Sequence, residues 1–178
     1  GSSLEDGVWR GNDRWPDATD AADTVRFALT ADGLERPREY DSGQVEREYE
    51  PDYTVGVDSF QPPGAPVPAR DTGEDDARSL TFESDPLDRA FDFTGTGSAT
   101  VRLRTTIDDP TLSVRVVDVA PDGSTTMVTH GTRRARSRSV AELAEPVGSG
   151  ETEVTIPLKP NSHCFEAGHR VRIAVASA

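Results

Sequence analysis

From Arg78 to Ala178 the chain alternates apolar and polar residues in one short stretch after another. This period of two narrows the accessible folds more than any other feature. In the last stretch Val171, Ile173 and Val175 fall on one face, and Arg170 and Arg172 on the other. Successive strand residues point to opposite faces, so the pattern predicts a half-buried antiparallel strand. The same reading applies upstream. Ser79 to Ser84 carries Leu80 and Phe82, and Phe91 to Thr94 carries Phe91 and Phe93. Ser98 to Ile107 sets Val101, Leu103 and Ile107 inward and Arg102 and Arg104 outward. Thr111 to Val119 is apolar on both faces, Val116 and Val117 falling on opposite sides, and is expected to be central. Pro121-Asp122-Gly123 signals a tight turn into a strand from Ser124 to Arg136. Glu151 to Leu158 places Val154, Ile156 and Leu158 on one face. Val140 to Ala144 is the one place where a helical turn is expected.

Short strands punctuated by Gly, Pro and Asp argue for an all-β fold, an antiparallel two-sheet sandwich of the jelly-roll kind. The organisation expected is an entry segment over 1–23 and a β-sandwich over 24–178. Thr24 to Thr30 alternates, with Val25, Phe27 and Leu29 on one face, and Val45 to Tyr49 is a short candidate strand. Between them and the main series lies an irregular, Pro-rich crossing segment, 51–76, which holds Pro51, Pro62, Pro63, Pro66 and Pro68. Proline removes ladder donors, so this segment is expected to lie outside the sheets.

Composition bounds the partners. Acidic residues number 32 against 19 basic, for a net charge of −13, and Lys159 is the sole lysine. An acidic, lysine-poor surface suits concentrated salt, where the Debye length falls to about 3 Å at 1 M and self-repulsion is screened. A salt-rich cytosol is the expected setting, and the location is expected to be cytoplasmic. Nucleic acid is excluded as a partner because counterion release needs a positive stripe. No apolar run approaches the ~20 residues of a membrane span, so no membrane partner is expected.

Four stretches, taken in order, resemble one family. Arg78-Ser79-Leu80-Thr81-Phe82-Glu83-Ser84-Asp85-Pro86-Leu87 is similar to its entry strand. Phe93-Thr94-Gly95 with Ala99-Thr100-Val101-Arg102-Leu103 is similar to its next hairpin. Leu112 to Gly123, with Val117-Asp118-Val119-Ala120-Pro121-Asp122-Gly123, resembles its long strand and turn. Phe165-Glu166-Ala167-Gly168-His169-Arg170 resembles its Gly-His-Arg strand. Val8-Trp9-Arg10 and Trp15-Pro16 match its entry more weakly, and 36–77 departs from it. Together they resemble the C-terminal jelly-roll, galactose-binding-like domain of the X-Pro dipeptidyl-peptidase and cocaine-esterase family of serine hydrolases.

The resemblance implies a non-catalytic domain that packs on a separate α/β-hydrolase domain or subunit and shapes its substrate pocket or oligomer, homo-oligomers included. It brings no catalytic residue, since the chain has no Gly-X-Ser-X-Gly elbow and no βαβ pattern to carry one. No cofactor and no metal site is expected. Trp9, Trp15 and Phe60 are the interface candidates, because aromatics and irregular loops dominate such surfaces. The alternative is a free-standing carbohydrate- or protein-binding module, against which stands an aromatic content of only 6%. A catalytically dead remnant is the third reading.

The remaining reactive residues are expected to be structural. Cys164, the one cysteine, is read as a small buried hydrophobe; His163 beside it would point to the other face of a strand. His169 is expected to bond to loop backbone, and His163 and His130 to stand isolated. Arg133 to Arg138 is read as pairing with the protein's own acids. Glu74-Asp75-Asp76 and Asp108-Asp109 lack calcium-loop spacing. The family's domain runs on past the Gly-His-Arg strand, so an end at Ala178 is expected to leave an open sheet edge.

Overall fold

The computed structural model describes residues 24–35, 45–52, 54–55, 72–107, 110–135 and 151–177. The strands are β1 (Ala28–Leu29), β2 (Leu34–Glu35), β3 (Leu80–Glu83), β4 (Phe91–Gly95), β5 (Ser98–Leu103), β6 (Thr111–Val119), β7 (Thr125–Arg134), β8 (Thr152–Pro157), β9 (Asn161–Phe165) and β10 (Arg170–Ser177). One short helix, α1 (Gly73–Ala77), precedes β3. The expected all-β, antiparallel architecture is present.

The pairing is nested. β6 pairs with β7, β5 with β8, β4 with β9 and β3 with β10, all antiparallel. The chain from β3 to β10 is thus one long hairpin whose tip is the β6–β7 turn. β10 also pairs with β6, from Arg170 opposite Val119 to Ser177 opposite Leu112. That second pairing rolls the hairpin up and gives a four-stranded sheet of order β3-β10-β6-β7. β4–β9 and β5–β8 remain two-stranded ribbons. β6 is central, as its two apolar faces require.

The hairpin tip shows how sequence sets geometry. Gly123 takes φ 86°, a region that side chains disfavour. Its N–H donates to the Ala120 carbonyl, and the Asp122 carboxylate accepts from both the N–H and the hydroxyl of Ser124. Below the tip the register shifts: Val116 faces Thr129 while Val117 faces Met127, so Val128 is the extra residue of a β-bulge.

The core lies between the sheet and the ribbons. Phe82, Val114, Val171 and Val175 come from the sheet, Val154 and Ile156 from β8, and Phe165 from β9. Ile156 and Val114 are fully buried. Phe165 stacks on Phe91 with ring centroids 4.9 Å apart. The other face of the sheet is also covered, since Arg115, Val117, Ala174 and Ala176 are buried there. That explains why the end of β10 becomes apolar on both sides.

Three expectations need correction. Gly73–Ala77 is helical, so the charged end of the crossing segment is not irregular; Asp75 and Asp76 are held by arginines. Of the 24–30 stretch Ala28–Leu29 is strand, paired with Glu35 and Leu34, and Val25 is 47% exposed. Residues 45–49 form no strand; Arg47 and Tyr49 tie them down instead, through the Ala31 and Arg78 carbonyls. β10 is paired on both sides, and the edges of its sheet are β3 and β7. The entry segment 1–23, most of 51–71, Asp108-Asp109, Arg136–Arg138 and Val140–Ala144 lie outside the described residues.

Candidate functional site

Two clusters of polar side chains are built into the sandwich. The first sits where the hairpin tip meets the turn between β9 and β10. Asp118 lies on β6, with its side chain on the core-facing side and 8% exposed. His163 reaches it from β9: its Nε2 lies 2.8 Å from one carboxylate oxygen. His169 reaches it from the start of β10: its Nδ1 lies 2.8 Å from the other oxygen. One carboxylate therefore serves two imidazoles from two different elements. Burial pushes the Asp118 carboxyl up, but the hydrogen bonds from His163 and His169, and their charge, outweigh it and hold the group below the usual carboxylate value.

The surroundings fix these groups. The His163 ring meets Phe165 edge-on at 4.9 Å. The Leu87 N–H donates to the His169 carbonyl and the Gly168 N–H donates to the Leu87 carbonyl, so the turn is stitched to the chain leaving β3. Asp122 lies at the same end; its carboxyl is held low by the hydrogen bonds from Ser124, and the charge of His169 acts on it more weakly.

The second cluster lies beneath α1, on the outer face of the main sheet. Asp76 is buried and accepts from Arg115 Nη2 at 2.9 Å, Arg172 Nη1 at 3.0 Å and the Thr72 hydroxyl at 2.9 Å. Arg172 also binds Glu83 at 2.8 Å. Burial works against the Arg172 charge, but Glu83 and Asp76 together raise its pKa above the ordinary guanidinium value. The Thr72 N–H donates to the Thr125 hydroxyl. Arg78 binds Asp75 at 3.1 Å and the Thr54 hydroxyl at 2.5 Å, and so joins α1 to the residues around Thr54. The carboxylates of Asp75 and Asp76 are thus spent on arginines rather than open to a cation.

On the solvent side of β5–β8 a third group is self-paired. Arg102 bonds Glu153, Arg104 bonds Glu151 and Glu46, and Thr100 bonds Thr155.

Chemically, the first cluster resembles the acid–histidine half of a relay. Among the described residues, neither imidazole bonds to a serine, threonine or cysteine that it could activate. Cys164 is exposed on the opposite face of β9, not buried as expected, because the strand parity that points His163 inward points its neighbour out. His163 is not isolated, and His169 bonds to a carboxylate rather than to loop backbone; both were misread because Asp118 was not seen as their partner. Its signal was present: a carboxylate set among Val116, Val117 and Val119 on a central strand has to be partnered. Among the described residues no group of three or more His, Cys, Asp or Glu is placed to hold a metal ion. Trp9, Trp15 and Phe60 lie outside the described residues.

The fold now meets its relatives. The family described as the X-Pro dipeptidyl-peptidase C-terminal non-catalytic domain matches residues 2–178. The chain belongs to this family. That family is described as a non-catalytic C-terminal domain. A Mycobacterium tuberculosis protein provisionally named a serine esterase is 31% identical over 200 residues, matching 99% of this chain and 31% of its own length. Cocaine esterase of a Rhodococcus species is 30% identical over 100 residues, which covers 56% of this chain and 17% of that enzyme. Among solved structures, an aminopeptidase from a marine sediment thaumarchaeote superposes with a TM-score of 0.56 at 28% identity, over 62% of this chain and 20% of that one. An α-amino acid ester hydrolase superposes equally well, TM-score 0.56 at 25% identity, over 62% of this chain and 20% of its own. The chain spans about a third, 31%, of the length of the mycobacterial relatives it matches.

Proposed function

We propose that this X-Pro dipeptidyl-peptidase-type C-terminal domain packs on the α/β-hydrolase domain of a parent serine hydrolase and walls one side of its substrate pocket. The parent's reaction in this reading is hydrolysis of an ester or peptide bond by a serine nucleophile that the catalytic domain supplies. The observation that carries it is the family match over 2–178, to a domain defined as non-catalytic, together with relatives named as an esterase and a peptidase. The same match favours this reading over a free-standing carbohydrate-binding module. A jelly-roll roll-up fits the nested strand pairing. Trp9, Trp15 and Phe60 are the contacts we assign to the catalytic domain, and self-association through the same surface is part of the reading. The acidic, lysine-poor composition supports a salt-rich cytosol.

The test is a pull-down from source lysate in molar KCl, with the folded chain as bait and a fluorophosphonate that labels active serines as probe. A labelled partner of hydrolase size is expected. A bait shown to be folded by circular dichroism that captures no labelled protein would overturn the reading.

A further inference from the structure

The β4–β9 ribbon is held to the four-stranded sheet differently from the β5–β8 ribbon. Among the described residues, no backbone ladder joins it to another sheet. β5–β8, also a separate ribbon, is tied to β7 by its own edge: Arg133 donates to the Thr155 carbonyl, Gly131 abuts the Pro157 carbonyl, and the Lys159 N–H donates to the His130 carbonyl just beyond. The β4–β9 ribbon has side-chain ties instead. Phe91 and Phe165 pack into the core, the Asn161 amide donates to the Val128 carbonyl, and His163 bonds Asp118. Of these, the bond to Asp118 is the one made to a charged group.

We propose that Asp118 is a latch that holds the β4–β9 ribbon on the four-stranded sheet, and that the ribbon opens as a unit when this carboxylate loses its charge. The geometry makes it a double latch, since the second oxygen holds His169 at the point where the chain turns from β9 into β10. The reason for charge sensitivity is that a carboxylate accepts at both oxygens, whereas a carboxyl group must turn one of them into a donor. The other charged groups at this end do not replace it. Asp122, on the β6–β7 turn, is held by Ser124. Arg170, next on β10, is turned away to the Ser84 carbonyl and Glu83. Thr126 and Val171, the strand partners of Asp118, carry no charge.

The experiment is native-state hydrogen exchange by mass spectrometry on the full chain and on Asp118→Asn, which keeps the size and removes the charge. At neutral pH the substitution should speed exchange in 91–95 and 161–165 by about tenfold to a hundredfold, the effect of a hydrogen bond to a charged group. Exchange in 111–119 and 170–177 should change by less than about threefold. Equal acceleration everywhere, or a ribbon as protected as in the parent sequence, overturns the proposal. Should Asp118→Asn fail to fold, His163→Gln is read by the same criterion. In the unaltered chain, with rates corrected for intrinsic pH dependence, ribbon protection should fall at a higher pH than sheet protection; simultaneous loss also overturns it.

Discussion

Asp76 is the side chain whose removal should cost this domain most. It is 4% exposed and its carboxylate is the shared acceptor for Arg115, Arg172 and Thr72. The two arginines differ in what remains once it is gone. Arg172 keeps Glu83, to which it is bonded through two nitrogens. Among the described residues, Arg115, 3% exposed, keeps only the Ser79 hydroxyl at 3.0 Å, and its Nε has no partner even in the intact protein. Asp76→Ala therefore strands one buried guanidinium without a counter-charge, for which a loss of about 3–5 kcal/mol is expected. Against a total stability of about 5–15 kcal/mol this is a large fraction. Arg102→Ala, on the half-exposed ladder of β5–β8, should cost less than about 1 kcal/mol, because that pair lies in water. Urea unfolding followed by circular dichroism would give both numbers. Converting Arg115 to Met in the Asp76→Ala background should restore most of the loss, since the stranded charge goes with it. A loss below about 1 kcal/mol for Asp76→Ala, or no recovery in the double variant, would refute this account of the network.

Four further outcomes are expected. Burial, then the charges of Lys159 and Arg115, hold the His130 imidazole below its usual value. The fold thus prefers His130 neutral: its contribution is intact above about pH 6.5 and is lost as pH falls through the lower folded value. His130→Gln should flatten the dependence of the urea midpoint on pH over that acid range. Gly131→Ala should lower the melting temperature by several degrees, because its Cβ would sit 2.2 Å from the Pro157 carbonyl oxygen, which is backbone and has little room to yield. Gly123→Ala, where a Cβ meets nothing within 4 Å but φ is 86°, should cost only the strain of about 1–2 kcal/mol. A chromogenic disulfide reagent should titrate Cys164 in the folded protein without a lag; labelling that waits for denaturant would contradict its exposed position on β9.

The strands from Leu80 to Ser177 were legible because each declares itself locally. Phe82, Val154, Ile156, Val171 and Val175 follow the period of two, and all five are buried. Where the pattern misled, the missing fact was a partner. Val25 alternates correctly with Phe27 and Leu29 yet is 47% exposed. Gly73–Ala77 was read as a charged end to a loop, because Glu74, Asp75 and Asp76 look like solvent-facing residues. Asp75 and Asp76 are buried. What reverses their reading is Arg115, Arg78 and Arg172, and of these only Arg78 is close enough in sequence to suggest it.

The histidines carry the same lesson further. Spacing rules search for partners along the chain, and by that measure His163 and His169 have none. Nesting changes the measure. When a hairpin is rolled so that β10 lies against β6, the start of β10 lands beside the end of β6, which brings His169 onto Asp118 across 51 residues. His163 arrives from β9 across 45 residues. No local pattern encodes either distance. Had the pairing of β10 with β6 been derived first, the buried acid on β6 would have been placed beside the β9–β10 turn. His163 and His169 flank that turn. In a rolled sandwich, therefore, polar constellations should be sought across the pairing that rolls the hairpin up, here β10 against β6, and not only between positions equidistant from the hairpin tip.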